Sequence, residues 1–208
     1  MSNSMQHWNG HQLCVIDTET TGLDPHWHEI IQICILPLDS DLLPRKDVLP
    51  FYVEMKPYHP ERIDKKALEC NKLDLATICS RGHDAEKVKD LLDDWITKLK
   101  LPVTAHGTPK KIVPLGQNYA FDRGFIQQWL GVDLYDLWFH YHFKDTMIAA
   151  GFLNDQAAFH AEKVPYSKIS LTYLCSTLKI ENLRAHDALN DCQATAEVYR
   201  RMCLSGLF

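Results

Sequence analysis

The sequence predicts a single mixed α/β domain, a sheet flanked by helices. Three observations predict it. Three short runs rich in apolar and β-branched residues come first, with no helical pattern between them. Strand-like and helix-like segments then alternate toward the C-terminus. No internal repeat, charge block or low-complexity linker divides the 208 residues, a length that buries one sizeable core.

The elements follow in order. Residues 1–11 read as a polar tail and 12–205 as the folded domain. Residues 12–17, with the apolar run Leu13-Cys14-Val15-Ile16, form a first strand. Residues 29–37, rich in isoleucine, form a second, and 51–55 a third that Pro57 ends. The turn Gly22-Leu23-Asp24-Pro25 joins the first two, so the three make an antiparallel meander. Residues 64–70 suit a short helix. A longer helix opens at His83-Asp84-Ala85-Glu86, carries Val88, Leu91, Leu92, Trp95, Ile96 and Leu99 at helical spacing, and stops before Pro102. Residues 111–116 suit a buried strand despite Pro114, and 121–130 a helix. A short strand is expected over 137–143, then a helix from Asp145-Thr146 to Phe152, then an irregular stretch over 154–167. Ser170 is expected to cap a helix through Leu178, and 186–202 make a long C-terminal helix.

Composition narrows the function classes. Hydrophobic content of 46% and charged content of 24% are ordinary for a globular chain. No apolar run reaches the roughly 18 residues of a membrane span, and residues 1–10 lack the apolar core of a signal peptide. A cytoplasmic setting is the expectation, with no membrane partner. The seven cysteines show no zinc-knuckle or redox spacing and are expected to be reduced thiols, mostly buried. A net charge of −5 disfavours a large face for duplex DNA. It leaves room for contact with a few nucleotides where metal ions carry the local positive charge.

Four places carry candidate chemistry. Asp17 and Glu19 stand two apart at the end of the first strand, so both carboxylates point to one side. Hard oxygen pairs of this kind begin sites for divalent cations. Asn118-Tyr119-Ala120-Phe121-Asp122 follows the strand near 112–117, where open α/β sheets tend to hold their sites. His186-Asp187-Ala188-Leu189-Asn190-Asp191 is the third. On one helix His186 and Asp191 would stand about 140° apart; if His186 precedes the helix it can bend toward the same cleft as Asp191. Asp145 is the fourth. Singly, each has a plain structural reading: a turn organiser, a loop amide and a helix cap, or acids favoured by the helix dipole. Trp27, in His26-Trp27-His28 beside the first turn, could stack on a base or sit half-buried in a loop. His140 and His142 alternate on the strand expected there and could suggest zinc, but no third ligand is in view.

Together, Asp17-x-Glu19, Asn118-x-x-x-Asp122 with Phe121, and His186-x-x-x-x-Asp191 closely resemble the three motifs of the DEDD superfamily of 3′–5′ exonucleases, in its histidine-containing branch. The segment with Ser170-Leu171, Leu174-Cys175, Ala188-Leu189, Cys192-Gln193 and Ala196-Glu197-Val198-Tyr199 is similar to the proofreading exonucleases of bacterial replicative polymerases. Phe139-His140-Tyr141-His142 and Thr21-Gly22-Leu23-Asp24-Pro25 are similar to oligoribonucleases of the same superfamily. The resemblance implies a ribonuclease H-like fold, a mixed five-stranded sheet with flanking helices.

It also implies two Mg²⁺ or Mn²⁺ ions, roughly 4 Å apart. Asp17 would bridge both, Glu19 and Asp191 would complete the site that activates water, and Asp122 would hold the second ion. His186 would accept the proton of the attacking water, a task suited to an imidazole titrating near pH ~6.5. N–H groups and hydroxyls of Thr18, Thr20, Thr21 and Gly22 could hold the terminal 3′-OH. Leu23 could wedge beside its base, and Asn118 and Phe121 could line the pocket. The expected substrate is a single-stranded 3′ end, DNA ahead of RNA or short oligonucleotides. A homodimer and a polymerase partner both remain compatible. A non-catalytic binding module on this fold would have lost a metal ligand, and no ligand is missing here.

Overall fold

The computed structural model describes residues 10–71, 74–182 and 186–204; for Cys70 and Asn71 only the backbone is described. Most of the expected polar tail, and residue 205 at the far end of the expected domain, lie outside the described residues. Five strands form one sheet: β1 (Gln12–Thr20), β2 (Ile30–Pro37), β3 (Phe51–Glu54), β4 (Ile112–Gly116) and β5 (Lys144–Asp145), in the spatial order β3-β2-β1-β4-β5. The first three form the antiparallel meander expected, and β4 and β5 add in parallel. The fold is ribonuclease H-like.

Strand alternation divides the core. Cys14 and Ile16 of β1, with Ile33 and Ile35 of β2, face one layer; Leu13 and Val15, with Cys34 and Leu36, face the other. Every residue of β2 is buried, as expected of a strand covered on both faces. On the first face pack α3 (Ala85–Leu99), α4 (Tyr119–Leu130) and α5 (Val132–Trp138). On the second packs α8 (Ala188–Leu204), through Ala188, Cys192 and Ala196. Residues this small let the helix approach the sheet closely. A third cluster joins α8 to α6 (Thr146–Phe159) and α7 (Leu171–Leu178). Two short helices, α1 (Lys65–Asn71) and α2 (Leu75–Arg81), precede α3.

Several elements differ from the sequence reading. The strand expected over 137–143 is absent: α5 runs to Trp138, a loop follows, and β5 is only Lys144–Asp145. The aromatic alternation there imitated a strand, whereas Tyr135 and Trp138, three apart, are the buried pair of a helix. The irregular stretch begins later than expected, because α6 continues through Phe159. The last helix begins at Ala188, and His186 sits outside it with φ +71°. Helix α2 was not expected; Asp74 caps it by accepting from the Ala76 N–H at 3.1 Å and the Thr77 hydroxyl at 2.6 Å. Ser170 stands at the start of α7 in extended conformation, but its side chain makes no capping bond. His140 and His142 lie in the loop with stacked rings, 5.3 Å between centroids. Cys14, Cys34, Cys175 and Cys192 are buried free thiols, whereas Cys79 and Cys203 are exposed ones. No helix among the described residues is long and apolar enough to cross a membrane.

Candidate active site

The site is built around the C-terminal half of β1. The strand runs three residues beyond its expected end because β2 continues to pair with it, Asp17 opposite Cys34 and Glu19 opposite Gln32. Odd-numbered residues face α8, so Asp17 and Glu19 extend the Leu13–Val15 row toward the helix that carries Asp191. A bulge after Glu19 then turns the chain away.

Asp122 arrives from the other face. It stands in the first turn of α4, and its Oδ1 accepts both the Thr18 backbone N–H at 2.9 Å and the Thr18 hydroxyl at 2.7 Å. Parallel pairing with β4 is registered as far as Val15 opposite Leu115, and beyond it the Thr18 N–H is answered by this carboxylate. The start of α4 is itself pinned: Asp145 accepts from the N–H groups of Asn118 (3.2 Å) and Tyr119 (2.7 Å), and caps α6 through Met147 N–H at 2.8 Å. Asp145 therefore serves as a cap for two helices.

Asp191 stands in the first turn of α8, where its Oδ2 accepts the His186 backbone N–H at 2.9 Å and its Oδ1 the Asn182 amide at 2.9 Å. The left-handed backbone at His186 folds its segment back over the helix start. As a result, donor atoms of Glu19, His186 and Asp191 lie within 4.8 Å of one another, the single such trio of metal-type ligands among the described residues. His140 and His142 form no such group. A second network anchors this corner: Tyr52 donates to Asp187 Oδ2 (2.9 Å), Gln32 donates to the Tyr52 hydroxyl (2.9 Å), and Ala188 N–H donates to Gln32 Oε1 (2.8 Å). Gln32 and Tyr52 went unremarked in the sequence. Their signal, a buried amide and a tyrosine on adjacent strands, has meaning only once the strands pair.

The electrostatics are those of crowded acids. Burial raises Asp17 well above the usual carboxylate range, with further push from Asp122, Glu19 and Asp191. Glu19 rises to about 8, by burial and then Asp191, Asp122 and Asp187. Asp122 rises to about 7, by burial against the opposing pull of its two Thr18 bonds. The charged forms of Asp17, Glu19 and Asp122 are thus disfavoured unless a cation compensates them. The donor set, oxygen-rich with one imidazole, fits a divalent metal.

The turn residues are partly committed. The Thr18 N–H and hydroxyl serve Asp122; the Thr20 hydroxyl donates to the Gly22 carbonyl at 2.6 Å; the Thr21 hydroxyl accepts from Glu29 N–H at 2.9 Å. A Cβ at Gly22 would lie 2.2 Å from the His28 ring, which would have to shift. Leu23 is 78% exposed at the tip of this turn. Asn118 is exposed with φ 65°, and Phe121 is half-buried against Phe125.

Comparison with known proteins places the chain in a family. The family described as Exonuclease (RNase_T) matches residues 14–199. The chain is similar to a protein named Ribonuclease T of Shewanella oneidensis, 26% identical over 204 residues, covering 95% of this chain and 85% of that one. Among solved structures it is similar to the nuclease domain of 3′hExo, described as a DEDDh family member bound to rAMP (TM-score 0.65, 21% identity, 94% of this chain and 92% of that one). It is also similar to E. coli exonuclease I in complex with a dT13 oligonucleotide (TM-score 0.67, 17% identity, 91% of this chain), of which it spans 40%. Asp17, Glu19, Asp122, His186 and Asp191 all fall inside the matched residues, and the chain belongs to this exonuclease family.

Proposed function

We propose that this exonuclease cleaves phosphodiester bonds at single-stranded 3′ ends, in the 3′–5′ direction, releasing mononucleotides, with DNA preferred. The observation that carries the reading is the convergence of Asp122 from α4 and Asp191 from α8 within electrostatic range of Asp17 and Glu19 of β1, with His186 beside Glu19 and Asp191. Two Mg²⁺ or Mn²⁺ ions held by these carboxylates would supply the positive charge for the phosphate and acidify the attacking water.

The chain's own residues do the rest. Asp17 is central, in range of the other three acids, and would hold metal together with them. Thr18 fixes one oxygen of Asp122 and leaves the other for a ligand role. His186 accepts the proton of the water, and its backbone bond to Asp191 holds it beside that carboxylate. Leu23, exposed at the tip of its turn, packs beside the terminal base, and Asn118 and Phe121 line the same pocket.

A second reading, RNA as the preferred polymer, is favoured by the similarity to a protein named Ribonuclease T. One experiment tests both: incubate the protein with 5′- and 3′-labelled single-stranded DNA and RNA in Mg²⁺, Mn²⁺ or EDTA. Immediate release of the 3′ label with either cation and none in EDTA is expected, faster from DNA. Release of the 5′ label first would reverse the polarity, faster loss from RNA would select the second reading, and no metal-dependent release from either polymer would end the proposal.

A further inference from the structure

The His26-Trp27-His28 segment forms one wall of a cavity of about 260 Å³ that is separate from the carboxylate centre. Phe125 and Trp129 of α4 also line it, Phe125 only 2% exposed, together with Lys56, His59 and Arg62. The volume falls just under the ~300–1,000 Å³ of sites for drug-sized ligands, so it suits one nucleotide unit and not a stack.

The cavity is built into the active-site turn. His28 fills the space above Gly22, so the turn bearing Leu23 and the cavity wall pack as one piece. Glu29, itself a lining residue, fixes the Tyr58-His59 segment by accepting the N–H groups of Tyr58 (3.2 Å) and His59 (2.8 Å) on its carboxylate. Arg62 lies over the Trp27 ring, 4.5 Å from its centroid, which holds the planar guanidinium. Trp27 itself is 54% exposed. Acidic neighbours are present: Glu61 pairs with His59 at 3.0 Å and approaches Arg62 at 3.9 Å, and Asp84 lies 3.9 Å from Lys56. Even so, two cationic side chains, Lys56 and Arg62, line one small cavity of a chain whose net charge is −5.

Exposed aromatic faces beside cations are what single-stranded nucleic acid uses, bases on rings and phosphates on the charges. Phe125 and Trp129 lie three and seven residues beyond Asp122 on α4, a rise of about 5–10 Å. At roughly 3.4 Å per nucleotide along a stacked strand, that is about two or three units from the scissile end. We infer that this cavity seats a nucleotide of the substrate strand upstream of the cleaved bond, its base against Trp27 and its phosphate on Arg62 and Lys56. The inference rests on the exonuclease reading and adds a second, metal-independent grip on the strand.

The test is binding, not turnover. Anisotropy of 5′-labelled dA12 and dA2 is followed in EDTA with the wild-type chain, Trp27→Ala and Arg62→Ala, and unlabelled dAMP is used as competitor. The ratio of dA12 to dA2 affinity should fall about tenfold in each variant. An unchanged ratio in both variants, or no binding of dA12 by the wild-type chain, overturns the site. Competition by dAMP as strong as by unlabelled dA12 overturns the assignment to the strand. Failure of the exonuclease reading would instead appear in the labelled-end assay, with the titration unaffected.

Discussion

Thr18 gives its backbone N–H and its hydroxyl to the same oxygen of Asp122, at 2.9 and 2.7 Å. A residue between two metal-type carboxylates thus orients a third one from another element. Thr18→Val keeps the shape and the N–H bond and deletes the hydroxyl. Partners of this kind are worth about 10–100-fold in metal affinity or activity. Activity titrated against Mn²⁺ should therefore demand about tenfold more metal, with a circular dichroism spectrum like that of the wild type. A wild-type metal titration would show that the hydroxyl is dispensable.

Loss of the central acid should be more severe. Asp17→Ala should abolish turnover and leave the fold intact, because Asp17 is in range of the other three carboxylates and its charged form is disfavoured by burial. Thermal denaturation in EDTA should show a variant at least as stable as the parent. Residual activity above a few per cent would remove Asp17 from the bridging position.

His186→Ala should slow single-turnover cleavage by about 10²–10⁴-fold. The backbone bond from residue 186 to Asp191 survives the change, so the deficit reports the ring. A rate within threefold of wild type would exclude the imidazole as the base.

Tyr52→Phe tests the corner beneath it. The hydroxyl links Gln32 to Asp187, while Gln32 still holds Ala188 N–H. Removing a hydrogen bond to a charged group costs about 1.5–3 kcal/mol. If that cost falls on the placement of His186, kcat should drop about tenfold or more and KM little. A change confined to the melting temperature would assign the network to stability alone.

The metal-free protein should lose stability as pH rises. Glu19 moves from 4.5 to about 8 on folding, and Asp122 from 3.8 to about 7. Raised acids bind more protons folded than unfolded, so the folded state is penalised above the unfolded pKa, increasingly up to the folded one. In EDTA the melting temperature should fall between about pH 4 and 8, and Mg²⁺ or Mn²⁺ should restore it most at pH 8. A flat or rising profile in EDTA would contradict the crowding of these acids.

Much of this was legible in the sequence because it depends on short-range pattern. The isoleucine-rich run of β2 and the stripe of Val88, Leu92, Trp95 and Leu99 lie where periodicity put them. Asp17 and Glu19 face α8 because strand alternation leaves no choice. What depends on tertiary contact was not legible. Nothing local distinguishes a Thr18 hydroxyl that meets a nucleotide from one that meets Asp122. Strand β5 is two residues long, pairing only with Leu115 and Gly116, and the pattern before it belongs to a helix and loop, so it pointed to the wrong element. His186 could be read either as the start of the helix, facing away from Asp191, or as preceding it and bending toward that carboxylate; its left-handed backbone outside the helix fits the second.

Asp145 has a consequence for how this enzyme would be dissected. One side chain fastens the start of the helix bearing Asp122 and the start of the helix after β5. Replace it, and both helix starts lose their fastening together, and the cleavage centre loosens although no donor atom has been removed. A mutational scan scored only by activity would rank Asp145 beside the metal-binding acids and credit the centre with a fifth carboxylate. Only a scan that reads abundance alongside cleavage would separate the foundation from the machinery standing on it.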